Sequence, residues 1–454
     1  MLSFYDIMRR IEEGQYMEEK KFDIDVVAKT TRRLLKEHDI RFNREEVIFS
    51  DDSLADDIFE AGFELALEAG FYVIDSKRVI KFSESELKEG LRTAPSQLIV
   101  GRGSDSRILY GRKISDPRNP FIMGGQAGAP IPERFYYHMA MSFMQEPVVD
   151  GINNGGLAEV KGVEVRTRSP AEALATMAEV RYLREAARSV GRPGIHLLAG
   201  ESSVTCLGDL AVQKEEFLRT SDAHLVPVLN DLKTDYDRLT KAFTYKIYGG
   251  FNVSLVDPVV GGFLGGPDGV AVGFVASFLI SRVLYASDYH VIHPIHPKYV
   301  STSSLETMWV LSAVGQAMAR HSDFILMGDV WTSNGAGSYD IFYEIMANTI
   351  TNVVTGSHPL GVSATNGKYP HASGLETRFM GEIARAAKTL SRNDANELVK
   401  MLLKKYYPQK MEKPDIGKPF PELYYLESVR PREWWYELYL KAKKEAIDYG
   451  LKLE

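Results

Sequence analysis

Over its first hundred or so residues the chain repeats apolar positions three and four apart, in FDIDVVAKTTRRLLKEHDI and in DSLADDIFEAGFELALEAG. That spacing lays one apolar stripe along a helix. Short pieces that read as strands follow: FYVID, RVIKF, QLIVGRG and RILYGRK. From Phe121 the pattern changes to short apolar runs that end in Gly, Asn, Asp, Ser or His, each followed by a longer helical pattern. There are eight such runs: FIMGGQ, VVDGINNGG, GIHLLAGES, AHLVPVLND, FNVSLVD, YHVIHPIH, FILMGDV and NVVTGSH. Eight alternations across roughly 240 residues predict a (β/α)8 TIM barrel, whose strands are buried on both faces and so read as unbroken apolar runs. A doubly wound sheet alternates in the same way, but it favours a phosphate-binding glycine loop after an early strand. Neither GxGxxG nor GxxxxGK[ST] stands there.

The predicted organisation has three parts. Residues 1–118 form an N-terminal cap region, mostly helical with small strands, and residues 119–375 form the barrel. Residues 376–454 supply helices, in DANELVKMLLKKYY and PREWWYELYLKAKKEAIDYG, that pack on its outside.

Composition narrows the function classes. Hydrophobic residues make up 44% and charged residues 25%, enough apolar material for a large core. Lys and Arg number 54 against 61 Asp and Glu, so a formal charge of −7 gives no reason to expect nucleic acid or an anionic membrane as partner. Cys206 is the only cysteine, which excludes an intrachain disulfide and a thiolate metal cluster. The charged start lacks the apolar core of a signal peptide, and the most apolar run, GVAVGFVASFLISRVLYA, is broken by Ser and Arg. A cytoplasmic protein is expected.

In a barrel, chemistry collects where strands end. The residues closing the apolar runs are Gln126, Asn153, Asn154, Glu201, Ser202, Asn230, Asp231, Asp257, His293, His296, Asp329, Trp331 and His358. Many of these residue types also cap helices and hold loops. YHVIHPIH offers His290, His293 and His296 as metal ligands, with Glu201 or Asp329 completing a set; a structural or substrate-orienting role is the alternative. In an extended strand His290 and His296 share a face that His293 opposes. The glycine pairs of MGGQAGAP and GGFLGGPDG suit tight turns, a phosphate cradle or the approach of a large planar ligand. Ser202 and Ser203 lack a GxSxG elbow.

The chain resembles the monomethylamine methyltransferases of methanogenic archaea, corrinoid-dependent enzymes that carry pyrrolysine. The likeness rests on FEAGFELALEAGFYVIDSKRVIKFSESEL, IMGGQAGAPI, SPAEALATMAEVRYLREAARSVGRPG, NDLKTDYD, GGFLGG, YHVIHPIH with STSSLET, and LETRFMGEIARA, spread over nearly the whole length. The resemblance implies a TIM barrel that moves a methyl group from methylamine to the Co(I) corrinoid of a partner protein docked over the barrel mouth. It also implies a homo-oligomer with no tightly bound cofactor of its own.

The resemblance breaks at GRPGIHLLAGESS. Leu198 stands at the position that looks like the family's pyrrolysine, and Glu201 matches its neighbouring glutamate. Two further family carboxylates fall on Leu225 and Leu255, and the polar pair after the seventh strand falls on Val330 and Thr332. A lone catalytic acid, Glu201, is thus expected in an oily pocket of Leu198, Leu225, Leu255, Val330, Trp331 and Thr332, with His196, Asn154, His290, His296 and Asp329 around it. Leucines cannot hold an ammonium, whose unpaired burial costs several kcal/mol. Three readings follow: methyl transfer from another donor, with Glu201 as general acid or with a donor already charged; a silent corrinoid-binding or ligand-binding relative; or metal chemistry at the histidine cluster.

Overall fold

The computed structural model describes residues 2–362 and 364–453. Eight parallel strands close in chain order into a barrel: β1 Met123–Gly124, β2 Gly151–Asn153, β3 His196–Leu198, β4 Ala223–Val228, β5 Phe251–Val256, β6 Tyr289–Ile292, β7 Leu326–Asp329 and β8 His358–Leu360. A helix follows each: α1 Glu133–Met144, α2 Pro170–Ser189, α3 Cys206–Val212, α4 Tyr236–Tyr248, α5 Pro267–Leu284, α6 Leu305–His321, α7 Asp340–Thr355 and α8 Gly374–Ala387. The predicted TIM barrel is the observed one.

Seven of the eight predicted runs contain their strand. The eighth, NVVTGSH, is mostly the end of α7, which continues through Thr355 and stops at Gly356 with φ 105°. Nearly every residue of α7 is buried, so its last turn reads as an apolar run just as a strand would. β8 begins only at His358. That residue therefore lies at the barrel floor, where its Nδ1 accepts from Phe121 N–H (2.9 Å) and its Nε2 donates to Tyr110 O (2.7 Å).

Alternation sends one side chain of each pair into the barrel and the next into the helix layer. Phe121, Met123, Leu198, Ala223, Val253, Tyr289, Val291, Ile325, Met327 and Leu360 fill the interior. Their floor is a hairpin, Gln97–Val100 with Arg107–Tyr110, whose Leu98, Val100 and Leu109 join the same cluster. Arg102 N–H donates to Gly194 O (2.8 Å) and Gly101 N–H to Ser221 O (3.2 Å), fixing this plug beneath β3 and β4. The open end is the mouth.

The N-terminal helices share one core with α5 and α6, joining Ile58, Leu65 and Phe71 to Val275, Leu279 and Trp309. This explains the most apolar run. α5 is long and apolar enough to cross a membrane, yet 94% of it is buried between these helices and the barrel. At the other end of the chain, helices Arg392–Tyr406 and Glu433–Asp448 pack on α7 and α8, with Trp435 stacked on Phe342 at 5.2 Å.

Candidate functional site

The upper barrel narrows to a hollow whose walls alternate two chemistries. Leu225 and Leu255 belong to the interior cluster but keep accessible surface, as do Pro227 and Leu229 above Leu225 on β4 and in the loop after it. Side chains that far inside a barrel stay accessible only beside open space. On the same inward parity, Asp257 follows Leu255, His293 follows Val291, and Asp329 and Trp331 follow Met327. Asn153 pairs in register with Leu198 and therefore also faces in.

Glu201 sits on a tightly held turn. Gly200 has φ 100°, and a Cβ there would lie 2.6 Å from Asp209 Oδ1, so only glycine fits. The buried carboxylate of Glu179, on α2, accepts from the N–H groups of Gly200 (2.9 Å), Glu201 (3.1 Å) and Ser202 (2.7 Å). Ser202 Oγ accepts from Leu157 N–H (2.9 Å) and Ser203 Oγ donates to Thr205 O (2.6 Å), so both serines hold the loop. Behind the turn, Asp209 and Lys241 form a buried ion pair at 2.6 Å, and Lys241 Nζ donates to Ser203 O (2.8 Å).

This setting loads Glu201 with a proton near neutral pH. Burial pushes its carboxyl up to about 8; the charges of Glu179, Asp329 and Asp209 add to the rise, and Lys241 opposes it. Burial likewise lifts Glu179 to about 7 against its three N–H donors. Asp257 is raised by burial, against the pull of His293.

Across the hollow, His293 Nδ1 donates to Asp329 Oδ2 at 2.7 Å. The Trp331 ring meets the His293 ring edge-on at 4.2 Å. Trp331 Nε1 donates to Ala364 O, and its ring presses on Gly128, where a Cβ would come within 2.6 Å of it. Asn230 Nδ2 donates to Asp257 O (2.9 Å), tying the rim of β4 to that of β5.

The expectation of a solitary acid is overturned. Glu201, Asp257 and Asp329 stand at the ends of β3, β5 and β7: the charge of Asp329 reaches Glu201, and His293, bonded to Asp329, acts on Asp257. By the resemblance two family carboxylates fall on Leu225 and Leu255, but Asp257 stands one inward step beyond Leu255. The leucines form the wall beneath the acids.

Of the predicted pocket, Leu198, Leu225, Leu255, Asp329 and Trp331 face the interior. Six residues do not line it. His196 begins β3 at the floor, where Nδ1 donates to Ser221 O (2.9 Å) and Nε2 accepts from Tyr289 O–H (3.2 Å). Asn154 lies beneath the rim, its Oδ1 accepting from Gln126 N–H (3.2 Å), and Asn153 is the one that points inward. His290 faces the helix layer, hydrogen-bonded to Ser254 Oγ (2.6 Å) and stacked on Phe324 at 4.5 Å. Burial depresses its pKa well below the usual range. His296 lies past the strand in the following loop, stacked on Tyr299 at 4.3 Å, and accepts from Lys298 N–H (3.1 Å). Val330 belongs to the outer core, and Thr332 Oγ1 is spent on Asn334 O (2.7 Å). The three histidines thus point to three environments and do not form a ligand set. Among the described residues, the side chains close enough to share a metal ion are His38, Asp57 and Glu60, on the N-terminal helices.

Two residues that position the site escaped the sequence reading. Glu179 holds the loop after β3, and Glu344 on α7 holds the loop after β7 in the same way, through Ser333 N–H (2.8 Å) and Asn334 N–H (2.9 Å). Their signal is a glutamate on the apolar stripe of a helix: Glu179 shares a buried face with Thr176, Val180 and Leu183.

A closed (β/α)8 barrel whose strands end in acids at the open mouth has the architecture of a TIM-barrel enzyme. The family profile "Monomethylamine methyltransferase MtmB" matches residues 2–451, and the chain belongs to that family. Relatives include MtmB2 of Methanosarcina acetivorans and MtmB1 of Methanosarcina barkeri, each 28% identical over 449 residues, 98% of both chains. The Methanosarcina barkeri MtmB crystal structure and a crystal structure of the hydroxylamine MtmB complex each superpose with a TM-score of 0.95 at 27% identity, covering 99% of this chain and 98% of theirs.

Proposed function

We propose that the protein is a corrinoid-dependent methyltransferase that moves a methyl group from a small methylated compound other than monomethylamine to a partner's corrinoid, without a pyrrolysine adduct. The observation that carries this reading is the pairing of Leu198 with Glu201. The position that resembles the pyrrolysine holds a leucine buried in the interior cluster, while Glu201 stands after the same strand within reach of the charge of Asp329.

The corrinoid, carried by the partner protein, supplies the Co(I) nucleophile that takes the methyl group. The rim suits such a visitor. Val204, Leu207 and Leu210 after β3, and Val259 and Phe263 after β5, are exposed apolar side chains around the mouth. A Cβ at Gly261 or Gly265 would meet nothing within 4 Å, leaving that side open to a flat macrocycle. Within the hollow, the leucine wall excludes water from the methyl group. Glu201 answers for charge at the leaving atom: ionised it faces a cationic leaving group, and protonated it gives its proton to a neutral one. His293, oriented by Asp329, and Trp331 close the far side. The enzyme is read as a cytoplasmic homo-oligomer.

The test is methyl transfer to a Co(I) corrinoid protein, followed by the cobalt absorption spectrum. Glu201→Gln should slow it by ~100-fold or more with the fold intact. Undiminished transfer removes Glu201 from the mechanism.

A further inference from the structure

Acids dominate the polar groups at the mouth. Glu201, Asp257 and Asp329 stand at the ends of β3, β5 and β7, and Nδ1 of His293 is committed to Asp329. Trp331, the one indole there, has given its N–H to Ala364 O. Three acids at the strand ends of one mouth disfavour an anion and attract a cation. The rest of the wall, Leu198, Leu225, Pro227, Leu229 and Leu255, makes no hydrogen bond to a ligand and fits alkyl groups.

We propose that the methyl donor is a permanently charged onium compound, a quaternary ammonium or a tertiary sulfonium, held with its charge toward Glu201, Asp257 and Asp329 and its alkyl groups against the leucine wall. This rests on the methyltransferase reading and names its substrate class. A monomethylammonium ion would bring three N–H donors to a wall that is half leucine, whereas an onium carries methyl groups that leucine packs against and Trp331 can face. Transfer from such a donor needs no acid. The C–N or C–S bond breaks with its electron pair remaining on nitrogen or sulfur, the C–Co bond forms with the pair supplied by Co(I), and a neutral amine or thioether leaves.

The cation also accounts for the proton on Glu201. The groups facing that carboxyl are Glu179 from α2, Asp209 from α3, Lys241 from α4 and Asp329 from β7, three acids against one lysine. An arriving cation favours the ionised form, so binding expels a proton.

The full-length protein is titrated calorimetrically at pH 7.5 with tetramethylammonium and with trimethylsulfonium, in two buffers of different ionisation enthalpy. Methylammonium and the neutral isostere tert-butanol are the comparators. Expected is binding by either onium ion at least ~10-fold tighter than by either comparator, with roughly half to one proton released per cation. Glu201→Gln should weaken binding ~10-fold or more and abolish the release. Asp257→Asn should weaken binding while release persists. Equal affinity for tert-butanol, preference for methylammonium, or binding without proton release overturns the proposal. No corrinoid is present in this titration, so failure to methylate cobalt tells against the methyltransferase reading alone, and failure here tells against the onium donor alone.

Discussion

At the scale of single residues, the account stands on buried carboxyls whose protonation is set by their surroundings. Glu201 has a folded-state pKa near 8, above its unfolded value, so the folded protein holds the extra proton and loses stability as pH rises from about 4.5 through 8. Glu201→Gln carries no such proton. In urea melts it should therefore gain on the wild type between pH 5 and pH 9, by on the order of 2 kcal/mol, since the carboxyl keeps some water. A constant difference across that range would contradict the assignment. Glu179 acts through Glu201 as a positioning residue. Glu179→Gln turns an NH2 group toward backbone N–H donors and should cost about 1–3 kcal/mol of stability. Because it removes the charge that lifts Glu201, it should also move the pH profile of methyl transfer to lower pH, which a purely structural role would not do. Glu201 was legible because it closes an apolar run. Asp257 and Asp329 close runs as well, but their inward direction shows only when the parity of each strand is counted: Leu255 then Asp257, Asp329 then Trp331. Glu179 shows in the sequence only as a glutamate on an apolar helix stripe, because its partners, backbone N–H groups of a turn 21 to 23 residues away, leave no mark on the spacing.

At the scale of elements, strands and helices followed from periodicity wherever the two periods differ, and were confused where they do not. In NVVTGSH a helix buried on all sides and a buried strand produce the same apolar string, so only the glycine at position 356 marks the change. The histidines of YHVIHPIH show the same limit. Alternation placed His290 opposite His293 correctly, but the strand ends at Ile292, so His296 belongs to a loop and no face is shared. The turn after β3 can be tested directly. Gly200→Ala adds a Cβ at φ 100° against Asp209 and should cost about 1–3 kcal/mol, with activity lost beyond what unfolding explains because Glu201 is displaced. The floor hairpin gives the complementary case. Leu109→Ala should lower stability by about 2–5 kcal/mol in denaturant titrations while leaving cation affinity unchanged in the folded fraction.

At the scale of the whole molecule, the barrel is sealed below by the hairpin, braced on one side by the N-terminal helices and on the other by the C-terminal helices. The mouth is left as the working end. On the proposed reading the mouth works without an adduct-forming side chain: leucine fills the interior beneath, and acids at the ends of three strands hold positive charge. The most direct test of that claim is the pH dependence of kcat/KM for methyl transfer from an onium donor to a Co(I) corrinoid protein, which reports the ionisations of the free enzyme. The account predicts a rate constant that rises through about pH 8 to a plateau and becomes flat in Glu201→Gln. A rate constant that falls through that region would mean that the protonated carboxyl is the working form, and would contradict a cation-holding mouth.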